Sequence, residues 1–324
     1  MHRFARAIVA VLIAVTLALG VSLAAEAQDS AKVHRIGVLA TAESRKLRES
    51  LRELGYIEGR NAVFEARETK GRADRFDDLA RDLARLKVDV IVAANPPAAL
   101  GAKRATATIP IVMVNTPDPV QLGLVASLAR PGGNITGTTS LSVEVSIKQL
   151  ELLKEAVGQT SRIAVLWNPD NPWHPVTVKG LRQESRSLGV QLHPLSVRSP
   201  DEFDAAFEAM TKDRVQAVLV LADTMTYFHR KHLADLALRY RLPLMGALRE
   251  YAEAGSLMSY WADDVELYRK VAGYVDKILK GAKPADLPID QPNKYEFVVN
   301  LKTAKQLAVV MPPSVLLRAD RLIE

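Results

Sequence analysis

The chain has no cysteine among its 324 residues. That excludes disulfide staples, thiolate metal sites and a cysteine nucleophile, and it leaves no thiol for lipid attachment. Aromatic residues make up only 6% of the chain. No long block of single-sign charge appears: in RETKGRADRFDDLARDLARLK the Lys and Arg residues are interleaved with Asp and Glu. A mixed, solvated surface of this kind argues against a nucleic-acid partner in spite of the formal charge of +6. The motifs H-E-x-x-H, G-x-S-x-G and G-x-x-x-x-G-K are absent. His229 and His232 sit at ligand spacing on a helix, but with Arg230 and Lys231 between them they read as a surface face. No cofactor is expected. Ser256 and Ser259 have no visible base, and the carboxylate pairs Asp77-Asp78 and Asp263-Asp264 fall at helix starts, where the macrodipole favours anions. The pattern therefore points to a binding protein, not an enzyme.

The first 27 residues read as a cleaved export signal. Arg3 and Arg6 are followed by a nearly apolar run, Ile8 to Leu23, and then by Ala25-Glu26-Ala27, the small-x-small pattern of a cleavage site. A run of 16 residues is short for a membrane span. The expected product is soluble, exported and cut after about Ala27. Cleavage would remove two positive charges and one negative, leaving +5.

Beyond that signal, apolar runs alternate with amphipathic segments. RIGVLA (35–40), the strand at 61–66, VDVIVA (88–93) and IPIVMV (109–114) read as buried strands, with helices at 43–54, 74–86 and 97–107 between them. The rhythm restarts at RIAVLW (162–167) and runs through 190–195, VQAVLVL (215–221) and RLPLMG (241–246). Continuous β-branched strands separated by helices mean parallel sheets covered on both faces. The expected fold is α/β: two similar doubly wound parallel-sheet lobes joined by a three-segment hinge. Residues 28–138 plus about 262–285 form the first lobe and 139–261 the second. A second crossover is expected near Gly255–Tyr260 and a third in 286–324, a segment that could join either lobe. Pro131-Gly132-Gly133-Asn134 has turn chemistry and opens into a β-prone run, so it reads as a corner more than a phosphate loop.

Ligands of open α/β sheets sit outside the carboxyl ends of the strands. That rule selects Thr41 and Ala42, Asn95 and Pro96, and Asn115 and Asp118 in the first lobe. In the second it selects Asn168 and Asp170, Asp223, Met245 and Tyr260. Helix N-termini after Thr41, Asn95 and Asn168 are expected to offer backbone N–H groups to a carboxylate. Asp118 and Asp223 suit a ligand ammonium or hydroxyl, although each also fits a turn or a helix cap.

The segments GYIEGRN, ATATIPIVMV, DPVQLGLVASLARPGGNITG, KQLELLKEAV, RIAVLWNP, YVDKILKGAKPADLPIDQPNKYEFVVNLKTAKQL and RADRLIE occur in that order across residues 33–324. Together they resemble the tryptophan/tyrosine-type ABC transporter substrate-binding proteins. The resemblance implies a type I periplasmic-binding-protein fold, capture of a small solute such as an amino acid, hand-over to an ABC permease at the inner membrane, a periplasmic location, a monomer, and no catalytic residues. A ligand sensor for a membrane signalling partner is the alternative. Two features depart from the pattern. Only Thr41-Ala42-Glu43 separates the first strand from its helix, where relatives usually carry a longer loop, and Trp261 stands where they often have Gly.

Overall fold

The computed structural model describes residues 32–42, 45–158 and 161–324; the expected signal segment 1–27 and Glu43 lie outside them. Five strands form the first sheet: β1 (His34–Ala40), β2 (Ala62–Glu68), β3 (Val90–Ala93), β4 (Ile111–Pro117) and β5 (Ile135–Ser140). All pair in parallel, in the order β2-β1-β3-β4-β5. Strand alternation splits the lobe's core into two layers. Val90 and Val92 pack with Leu47 and Leu51 of α1 (Arg45–Glu53). Ile91 and Ala93 face Phe76, Leu79 and Leu83 of α2 (Phe76–Arg85) and Ala98 and Ala102 of α3 (Pro96–Ala105).

The second sheet has seven strands in the order β12-β11-β10-β9-β8-β6-β7. β6 (Arg162–Trp167), β7 (Gln191–Ser196), β8 (Ala217–Val220), β9 (Leu244–Gly246) and β10 (Met258–Ala262) run parallel. Ile163, Val165 and Leu219 face Leu150 and Leu153 of α4 (Ser142–Val157) and Val178 and Leu181 of α5 (His174–Ser187). Leu166, Val218 and Val220 face Phe203 and Phe207 of α6 (Phe203–Lys212). The remaining helices of this region are α7 (Thr224–Phe228), α8 (Arg230–Arg239) and α9 (Arg249–Glu253).

The chain passes between the sheets three times. The first passage follows β5. The second falls after β10, not within Gly255–Tyr260, because MSYWA is itself a strand of the second sheet. It leads into α10 (Asp264–Leu279), whose Leu267, Val271 and Val275 pack on the first sheet. The third lies between Asp290 and Tyr295. Asp290 still pairs with the first sheet, its N–H donating to the Gly137 carbonyl at 3.0 Å, whereas β11 (Tyr295–Asn300) joins the second sheet antiparallel to β10. The last segment then adds α11 (Leu301–Gln306), α12 (Pro313–Leu316) and β12 (Arg321–Ile323), parallel to β11. Most of 286–324 thus belongs to the second lobe.

The Pro131–Asn134 turn is a corner. Asn134 Nδ2 donates to the carbonyls of Thr106 and Ile109, which ties the turn to the start of β4. Just beyond it, Gly137 has φ +128, and a Cβ there would lie 2.1 Å from the Met113 carbonyl oxygen. Only glycine fits this approach. Gly137→Ala is expected to cost about 2–3 kcal/mol or more, read as a lower urea midpoint; an unchanged midpoint would contradict the packing described.

Candidate functional site: an interlobe cleft

The carboxyl ends of both sheets face one gap, and their loops enclose a cavity of about 660 Å³. That volume suits a small organic molecule. Each lobe builds its wall by using up local polar groups.

In the first lobe, Thr41 follows β1 and is buried. Its Oγ1 accepts from Asn95 Nδ2 at 3.2 Å and donates across the gap to Thr224 Oγ1 at 3.3 Å. Asn95 caps α3: its Oδ1 accepts the Ala98 N–H at 2.9 Å. Pro96 and Pro97 follow it and have no N–H to give. The start of α3 therefore offers a ligand carboxylate none of the N–H groups expected of it. A register shift between Met113 and Thr116 throws Asn115 into the cavity wall at φ +48, with its N–H donating to Thr138 Oγ1. Asn115 Oδ1 is buried without a hydrogen-bond partner.

In the second lobe, Asp223 organises the wall. It caps α7 by accepting the Met225 N–H at 2.9 Å, and it accepts from Asn171 Nδ2 at 3.1 Å. Asn168 Nδ2 lies 3.4 Å from both of its oxygens. The Asn168 N–H donates to His174 Nδ1 at 2.9 Å, so His174 Nε2 carries the proton and donates to the Ala222 carbonyl at 3.0 Å. Burial pushes the His174 imidazole below its ordinary proton affinity, more than the nearby Asp223 charge raises it. The loop's other N–H groups are also committed: Asp170 to Asn168 Oδ1, Trp173 to Asn171 Oδ1, and Asn171 and His174 to the carbonyls of Asn168 and Asn171. This helix start, too, has no N–H left from those residues for an anion.

The expected residues separate accordingly. Thr41, Ala42, Asn95, Pro96, Asn115 and Asp223 line the cavity. Four others do not. Asp118 is exposed and caps a turn through the Gln121 N–H. Asp170 points outward to Arg198 at 3.6 Å. Met245 is fully buried in the core, and Tyr260 stacks on Tyr295 at 5.5 Å. Asn168 stands behind the wall as the support of Asp223 and His174. Tyr260 missed by one position: alternation along β10 sends Trp261, its neighbour, into the cavity.

Strand-end reasoning missed Lys46, Trp173, Tyr227, Glu250, Trp261 and Asp264, all of which line the cavity. Asp264, read from sequence as a helix-start charge, pairs with Lys46 Nζ at 2.6 Å. Burial, and then the Glu250 charge, nevertheless raise its carboxyl above the usual range. Glu250 Oε2 is buried with no hydrogen-bond partner. Apart from the cavity lining, Gly71, with φ +88, receives Phe228 of the other lobe: a Cβ on Gly71 would lie 2.9 Å from Phe228 Cβ. Among the described residues no group of three His, Cys, Asp or Glu is placed to hold a metal ion.

Two α/β lobes, three chain passages and a cleft between the strand ends define a type I periplasmic-binding-protein-like receptor. Residues 40–323 match the family described as ABC transporter substrate binding protein, and the chain belongs to that family. A tyrosine-binding protein of Clostridioides difficile is 25% identical over 287 residues, covering 86% of this chain and 82% of its own. A conserved domain protein from Vibrio cholerae superposes with a TM-score of 0.82 at 27% identity, over 90% of this chain and 100% of that one. The ABC domain from Streptococcus pneumonia in complex with L-Trp gives a TM-score of 0.81 at 26% identity, over 90% and 99%.

The lowered proton affinity of His174 has a stability consequence. The unfolded chain takes up this proton more readily, so the histidine's contribution is full above its ordinary value of 6.5 and is lost as pH falls below it. Between pH 7 and 5 the unfolding free energy should fall, with His174 supplying up to about 1.4 kcal/mol per pH unit below 6.5. His174→Gln should flatten that slope in urea titrations; identical slopes would contradict the assignment.

Proposed function

We propose that this protein is the extracytoplasmic receptor of an ABC importer, closing its lobes on a small polar solute, an amino acid or a related compound, and presenting it to a permease at the inner membrane. The observation that carries the reading is the cavity itself. Its walls come from both lobes, and direct contacts, Thr41 to Thr224 and Gly71 to Phe228, join the lobes. A ligand that touches both walls gains contacts only when the lobes are together, and that difference in affinity drives closure. Family membership and the relatives that bind tyrosine and L-Trp support a solute of that size and class. The basic, apolar start of the chain supports export to the periplasm. The protein acts as a monomer that binds its solute without transforming it, a reading supported by membership of a substrate-binding family.

Asn115 on one side and Trp173 and Trp261 on the other support ligand contact, on walls that Thr41, Ala42, Asn95 and Asp223 shape. Asn168 positions Asp223. A thermal-shift screen of residues 28–324 against amino acids, amines, nucleosides, sugars and small carboxylates tests the reading. A ligand at 100 times its Kd should add about 2.7 kcal/mol of stability. A receptor that no compound of these classes stabilises would contradict it.

A further inference from the structure

The receptor reading leaves open which group of the solute the cleft recognises. The charges around the cavity are unevenly committed. Lys46 is held by Asp264 at 2.6 Å. Arg230 lies over the Tyr227 ring at 4.6 Å and donates to the Tyr227 carbonyl at 2.8 Å. Arg249, next to Glu250 in sequence, turns instead to Glu296 at 3.1 Å and Glu253 at 3.5 Å. Arg45 stands exposed at the rim. Glu250 has no ion-pair partner among the described residues, and its Oε2 has no hydrogen-bond partner.

Glu250 and Asp264 come from opposite lobes. Glu250 lies in the first turn of α9, on the second lobe, and Asp264 opens α10, just past the second chain passage. Both line the same cavity. The Glu250 carboxylate acts on Asp264, whose carboxyl is raised by burial first and next by Glu250, against Lys46. Burial and next Glu250 push the Tyr227 phenol up to about 12, so it stays a neutral hydroxyl in this wall. An uncompensated carboxylate taken from water is expensive. Glu250 lacks such compensation beside the Lys46–Asp264 pair, and a solute cation next to it supplies one as the lobes come together.

The anion side is poorly provided. At the start of α3 the N–H groups are capped or replaced by proline, before α5 those of Asp170, Asn171, Trp173 and His174 are committed, and Arg45 stands only at the exposed rim. Trp173, Tyr227 and Trp261 line the same space, and their aromatic surface suits a flat apolar body or a cation.

Resting on the receptor reading, we propose that the solute is recognised through a protonated amine, held between Glu250 of one lobe and Asp264 of the other, and that a carboxylate on the solute is dispensable. The amine is then the group that couples binding to closure. Free amines with an aromatic or apolar body belong to the ligand class, and deaminated acids do not.

Matched compounds test this on residues 28–324 by calorimetry and thermal shift: L-tryptophan, tryptamine and indole-3-propionate; L-tyrosine, tyramine and 3-(4-hydroxyphenyl)propionate; and L-leucine, isopentylamine and 4-methylpentanoate. In at least one set the amine is expected to bind and the deaminated acid to bind at least about 30-fold more weakly. Glu250→Gln keeps the side chain's size and should weaken the amine by a similar factor, with an unchanged circular-dichroism spectrum and solute-free melting temperature. Asp264→Asn should act in the same direction; because it also frees Lys46, Glu250→Gln is the decisive variant. Binding of a deaminated acid, a sugar or a nucleoside in preference to every amine would overturn the amine assignment and leave the receptor standing, as would an unaltered amine affinity in Glu250→Gln. Failure of all of these compounds and of the wider screen would overturn the receptor reading and the amine assignment together.

Discussion

The carboxyl ends of two separate parallel sheets face the same gap, and the rest of the molecule follows from that arrangement. A parallel sheet gathers its loops at one end, so two such sheets facing each other put every strand-end loop at one interface. Three passages of the chain keep the sheets in that relation. Each passage leaves one sheet near its carboxyl edge and enters the other: after β5, after β10, and between Asp290 and Tyr295. Such a connection lets the lobes rotate about the passages but keeps them from drifting apart. Thr41 with Thr224 and Gly71 with Phe228 join the lobes directly across the gap.

Polar groups at the cleft divide into those that build the wall and those left for a solute. Asp223, Asn168, Asn171 and His174 satisfy one another and fix the second lobe's wall. Asn95 and Thr41 do the same in the first. What remains is the aromatic surface, the Asn115 carbonyl and the carboxylates near the hinge. A network satisfied within itself makes a rigid template, and affinity then depends on the few groups left without partners. The chemistry of recognition is thereby narrower than the number of polar residues around the cleft suggests.

Much of the fold was legible in the sequence because it is written in local periodicity. The alternation in VIVA and AVLV, and the apolar stripes of α2 and α6, place strands and helices without long-range information. The antiparallel β11 was not legible. It depends on which sheet a strand joins, and YEFVVN reads alike in either. Strand-end reasoning found the cavity loops Thr41–Ala42, Asn95–Pro96, Asn115 and Asp223. It failed at Tyr260 by one position of alternation and at Met245 by strand length: β9 ends at Gly246, which keeps Met245 in the core. It failed at Asp118 and Asp170 because an exposed turn and an outward ion pair look the same in sequence as a cleft carboxylate. Asp264 was out of its reach, since it follows a strand of the second sheet but opens a helix packed on the first; Glu250 was passed over because it lies in the first turn of the helix after β9 and not in the loop itself.

The absence of cysteine makes the decisive measurement direct. A pair of cysteines introduced at Glu49 and Lys212, exposed positions on helices of opposite lobes, carries labels at two known places and nowhere else. The distance distribution between spin labels there, with and without saturating tryptamine, reports closure itself. The account predicts a broad distribution for the solute-free protein that shortens and narrows on binding. A distribution unchanged by the bound solute would contradict it.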